Sequence, residues 1–178
     1  MLKINTDAIG SLRERMLEKG GAPSIILSGP DAAKQQGHPL AGDPEAMALF
    51  DATFEGMFLM LASDGVVNKE ELEVLRGAVR ELTAGVMRTA QIEELAGDCA
   101  ERLQKEGEQA CLERIAAVLK KDETATEAAF VLAAVVAFAD EEVTDEEDET
   151  LNQLADLLEL SGERANELLD QLERAQKE

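Results

Sequence analysis

Between Asp140 and Asp148 the chain carries seven carboxylates in the run DEEVTDEED, directly after one of its most apolar stretches. Like charges this close repel one another unless they are solvated, placed on a helix end, or bridged by a cation. Each of these possibilities corresponds to a different chemistry. Asp145, Glu146 and Glu147 suit the positive end of a helix dipole, and Thr144 with Glu147 has the three-residue spacing of a capping box. Asp140 and Glu147 suit a hard cation of the Ca or Mg type, since their donors are oxygens and no Cys or His stands nearby to favour a softer metal. Glu141, Glu142, Asp145 and Glu146 suit a solvated acidic face on which a basic partner could dock.

The same pattern occurs earlier in the chain. FEGMFLMLASDGVVNKEELEVLRGAVREL, from Phe54, aligns without a gap on FVLAAVVAFADEEVTDEEDETLNQLADLL, from Phe130, at a constant offset of 76 residues. Phe54 falls on Phe130, Asp64 on Asp140, Glu71 on Glu147 and Leu75 on Leu151. Each copy reads as a helix, an aspartate, a short turn and a second helix. Asn68 and Glu71 repeat the capping-box spacing. Capping leaves Asp64 and Asp140 unexplained, because both fall at helix C-termini, where the dipole disfavours an acid. The candidate metal ligands are therefore Asp64, Glu71, Asp140 and Glu147, with plain turn-and-cap chemistry as the competing reading. An EF-hand is excluded: counting from either aspartate puts Lys69 or Asp145 at the glycine position and Leu75 or Leu151 at the bidentate glutamate position.

Positioning these residues falls to helices. Ala, Leu, Glu and Arg recur at three- and four-residue spacings, and alternating β-branched runs are scarce. The expected fold is all-α: a compact helical bundle of about seven to eight helices, with an internal pseudo-twofold repeat of helical hairpins whose halves span about 44–83 and 124–159. Helices are expected at about 44–63, 68–83, 89–106, 109–121, 124–140, 144–159 and 162–176. The fifth of these is apolar on all sides and should be central. Residues 1–42 are expected to form a first helix, Asp7 to about Lys19, and a linker; the turn-rich stretch from Gly20 to Pro44 holds all four prolines. The main domain is 43–178, opening with Asp43 as N-cap and Pro44 at the first helical position.

Composition narrows the function. Thirty-eight acids against 17 bases give a formal charge of -21, which repels nucleic-acid phosphates and anionic membrane surfaces. With five Phe and no Trp or Tyr there is no stacking platform for bases or sugars. The longest apolar run, Ala128 to Ala139, is far shorter than the ~20 residues that span a bilayer, so no direct membrane insertion is expected. Cys99 and Cys111 form no metal motif and read as buried thiols of a reducing cytoplasm. His38 is the only histidine and reads as a loop residue, so no Ser-His or Cys-His pair is available for nucleophilic catalysis. No phosphate-binding or nucleophile-elbow motif occurs either. Met47, Met57 and Met60, at helical spacing, read as core filling in preference to a binding groove. The chain is expected to be non-enzymatic, with a protein partner, soluble or membrane-embedded.

LASDGVVNKEE and AFADEEVTDEE, each closing an apolar helix and opening an amphipathic one, resemble the duplicated A-x-D-G-x-[VI]-x-x-x-E pattern of the tellurite-resistance TerB-like domain. A related domain begins the DjlA-type co-chaperones. The resemblance covers about residues 44–177. The second copy departs from the pattern by placing Glu141 where the first has Gly65, and Glu142 at an apolar turn position. The resemblance implies an all-α pseudo-twofold domain whose acidic surface binds divalent cations in tellurite- or stress-linked systems. The alternative is an interaction or scaffold module that uses its acidic face on a basic partner without metal.

Overall fold

A computed structural model describes residues 44–63, 65, 69–82, 87–138 and 143–177, without the side chains of 44–47, 70, 71, 81, 82, 124 and 175–177. Within these residues the protein is an all-α bundle of seven helices: α1 Pro44–Ala62, α2 Lys69–Leu82, α3 Thr89–Glu106, α4 Glu108–Leu119, α5 Glu123–Ala137, α6 Asp145–Leu157 and α7 Gly162–Lys177. These match the seven expected helices of the main domain to within a few residues at each end. The expected helix at 7–19 and its linker lie outside the described residues.

The core is built around α1 and α5, which share the most extensive helix–helix contact. Neither is amphipathic. From Ala125 to Ala137 every residue of α5 but Glu127 is buried, and Thr126, the polar one among the buried, donates its hydroxyl to Leu119 O at 2.8 Å. A helix that is apolar all round must be covered all round. Around α5 this is done by α1, α2, α4, α6 and α7. Phe50, Phe54, Met57 and Met60 of α1 are fully enclosed, so Met57 and Met60 are core residues, not a groove. The amphipathic helices α2, α6 and α7 bury only one stripe each, through Leu75 and Val79, Leu151 and Leu154, and Leu168 and Leu172. The repeat-related pairs Phe54 with Phe130 and Leu75 with Leu151 are all buried.

Local chemistry sets the helix ends. Asp122 accepts from the Ala125 amide at 3.0 Å to start α5, and the Ser161 hydroxyl accepts from the Arg164 amide at 3.1 Å to start α7. Gly107 alone separates α3 from α4; its φ of 83° with ψ 162° is open to glycine and strained for any other residue. Its amide donates back to Leu103 O, and its carbonyl accepts from the Cys111 amide, so one residue ends one helix and begins the next.

Candidate functional site

The two elbows joining α1 to α2 and α5 to α6 are the places where the sequence concentrates carboxylates. At the first, the Ser63 hydroxyl donates to Met60 O at 2.7 Å, and the Gly65 amide donates to Ala62 O at 3.1 Å. Gly65 has φ +75°, the left-handed stop that a glycine allows at a helix C-terminus. Asp64 and Asn68 lie outside the described residues, as does the side chain of Glu71.

At the second elbow α6 opens with the expected capping box. Thr144 is the N-cap; its hydroxyl oxygen accepts from the Glu147 amide at 3.1 Å, while Glu147 Oε2 accepts from the Thr144 amide at 2.8 Å. The Thr144 hydroxyl also lies 3.1 Å from the same Oε2, which accepts its proton. Glu147 is only 1% exposed, so this carboxylate is buried at the positive end of the α6 dipole. Oε2 thus carries both contacts, and among the described residues Oε1 has no partner. Asp145, Glu146, Asp148 and Glu149 are exposed around it. Asp148 and Glu149 accept from Asn152 and Gln153, one turn on. Asp140, Glu141 and Glu142 lie outside the described residues. Of the eight candidate residues, the described side chains are therefore Glu147 in the cap and Asp145 and Glu146 on the surface. No group of three or more His, Cys, Asp or Glu with metal-site spacing occurs among the described residues.

A second polar centre lies where α1, α3 and α4 meet, and sequence reasoning missed it. Glu55, in the middle of α1, is 2% exposed. Arg114 of α4 grips it with two parallel bonds, 2.8 Å to Oε2 and 2.9 Å to Oε1, and Arg102 of α3 adds a third at 3.3 Å. Arg114 also reaches Glu106 Oε2 at 3.1 Å. Burial alone would push the Glu55 carboxyl up, but hydrogen bonding from Arg114 and the charges of Arg102 and Arg114 outweigh it and hold the group below its ordinary range. Hydrogen bonding to Glu55 likewise holds Arg114 firmly protonated. Both thiols flank this cluster. Cys99 Sγ lies 3.3 Å from an Arg102 nitrogen and Cys111 Sγ 3.9 Å from Glu106. Burial and the Glu55 charge push the Cys99 thiol up to about 12, and the same two causes raise Cys111. The signal was present in FEGMFLML: an acid set in so apolar a run must find a cation when the run is buried.

The family model for the tellurite resistance protein TerB matches residues 50–170. The chain belongs to the TerB family. No curated protein and no solved structure matches it. The TerB match runs from within α1 to within α7, so it takes in both elbows and the whole Glu55 cluster. In this TerB domain the two centres differ in what they can do. The Glu55 cluster satisfies its own charges and ties three helices together; its thiols are held protonated, which suppresses thiolate chemistry. The second elbow presents acids, and a buried carboxylate oxygen there lacks a described partner. No described helix is long and apolar enough to cross a bilayer.

Proposed function

We propose that this TerB domain is a non-enzymatic binding module that takes a hard divalent cation, Ca or Mg, at its acidic elbows, within a tellurite- or stress-linked system. The observation that carries this reading is Glu147. A buried carboxylate normally satisfies both oxygens; here Oε2 serves the cap and Oε1 has no partner among the described residues, and Asp140 stands seven residues before it in the sequence. The donor set Asp64, Glu71, Asp140 and Glu147 is all oxygen, which fits a hard cation and does not fit zinc or copper. A bound cation would supply charge neutralisation, and the capping box fixes Glu147 in place before it arrives.

The exposure of Asp145, Glu146, Asp148 and Glu149 favours a second reading, in which the same helix end docks a basic protein without metal. Calorimetric titration of calcium into chelator-stripped protein separates the two. Saturable heat that is lost in Glu147→Gln supports the cation. No heat above dilution, from protein that remains helical, rejects the cation and leaves the acidic face as a docking surface.

A further inference from the structure

Among the described residues two carboxylates are buried, Glu55 and Glu147, and their surroundings differ. Glu55 is gripped by Arg102 and Arg114, whereas no described base forms an ion pair with Glu147. Glu147 heads the buried stripe of α6, followed at helical spacing by Thr150, Leu151 and Leu154. Thr150 is 4% exposed and donates its hydroxyl to Glu108 Oε1 at 2.7 Å, across 42 residues. The other buried threonines, Thr53 and Thr126, donate to backbone carbonyls. Thr150 instead holds a carboxylate from the first turn of α4. Farther along both helices Lys120 pairs with Glu159 at 3.2 Å, so α4 and α6 run in the same direction with their N-termini together. Helical side chains lean toward the N-terminus, which sets the Thr150 hydroxyl and the Glu108 carboxylate over the turn that carries Glu147.

We infer that Glu108 is a second carboxylate ligand of the cation held by Glu147, so that the ion fastens the start of α4 to the start of α6. The inference rests on the cation reading of the second elbow and adds to it a ligand from a helix outside both elbows. Charge favours a cation between the two. Among the described residues neither glutamate has an ion-pair partner, and each keeps one oxygen without a hydrogen bond, Oε2 of Glu108 and Oε1 of Glu147. The Glu147 oxygen is the decisive one, since burial removes it from water without supplying a donor. Each helix N-terminus contributes about half a positive charge, so the two ends together offset about one of the two carboxylate charges. A hard cation with oxygen ligands neutralises the remainder.

Calorimetric titration of calcium into the chelator-stripped full chain tests this. Calcium affinity follows the number of charged ligands, so Glu108→Gln should weaken it by about tenfold or more. The amide oxygen of that variant can still accept from Thr150. Thr150→Val keeps both carboxylates and removes only the hydroxyl that positions Glu108, and it too should weaken binding about tenfold. Glu113→Gln removes an exposed charge from the same helix and should change the affinity by less than about twofold, as a screened surface charge does. Affinity in Glu108→Gln equal to that of wild type, or a loss in Glu113→Gln as large as in Glu108→Gln, overturns the role of Glu108 and leaves the elbow reading standing. Should Glu108→Gln fail to fold, undiminished affinity in Thr150→Val overturns it in the same way. Absence of calcium binding to wild type overturns both.

Discussion

Glu55 is the most deeply buried member of the described ion pairs, and its loss has a calculable cost. In Glu55→Ala both guanidinium groups lose a buried partner. Arg102 and Arg114 are 37% and 39% exposed and can turn to water, so the loss should be about 2–3 kcal/mol, less than for a fully buried pair. Urea unfolding measures it, and a change under half a kilocalorie would mean that the pairing is incidental. The pH dependence has a definite sign. The Glu55 pKa is lowered in the folded protein relative to its ordinary 4.5, so its contribution is fully present above that value and is lost as pH falls through the lower folded one. The stability gap between wild type and Glu55→Gln should therefore narrow as the pH is taken down below 4.5. Legibility at this scale was uneven. Thr144 and Glu147 are neighbours in sequence, and their box was readable from spacing alone. Glu55 with Arg114 is separated by 59 residues; an acid in the apolar run of α1 announced that a cation was needed, and nothing in the sequence chose which of the bases would reach it.

At the scale of elements, helix ends were legible wherever a side chain or a glycine fixed them. Gly65 is one such place: φ is +75°, and a Cβ there would meet nothing within 4 Å. Gly65→Ala is expected to cost about 1 kcal/mol, all of it backbone strain and none of it collision. A melting temperature at or above wild type would show that the elbow relaxes freely out of the left-handed conformation. Glu159 at the end of α6 holds φ 59° without being glycine. There the Leu160 amide donates to Ala155 O and the Glu159 amide to Asp156 O, bonds that offset the strain. No turn rule would have flagged a glutamate, and so the stop near Leu157 was less legible than the one at Ala62. The joint at Gly107 was legible on the same ground as the stop at Ala62: one helix was expected to end at 106 and the next to start at 109, and a glycine able to hold φ 83° stands between them.

For the whole molecule, stability and binding separate. The core is Leu, Val, Ala, Met and Phe closed around α1 and α5, so helical structure should not depend on a metal. Far-UV circular dichroism after exhaustive chelation is expected to be unchanged; loss of helix would assign the cation a structural part. The formal charge of -21 means that any salt will stabilise to some extent by screening, and a cation site has to be distinguished from that background. The most direct measurement is the melting temperature in calcium chloride against potassium chloride at equal ionic strength, for wild type and Asp140→Asn. A cation that binds only the folded state raises the melting temperature by mass action. Wild type should melt higher in calcium than in potassium, and Asp140→Asn should lose most of that difference while its capping box persists. Equal melting temperatures in the two salts, or a calcium response in Asp140→Asn as large as in wild type, would contradict the cation reading and leave the acidic run as a helix start with a solvated face.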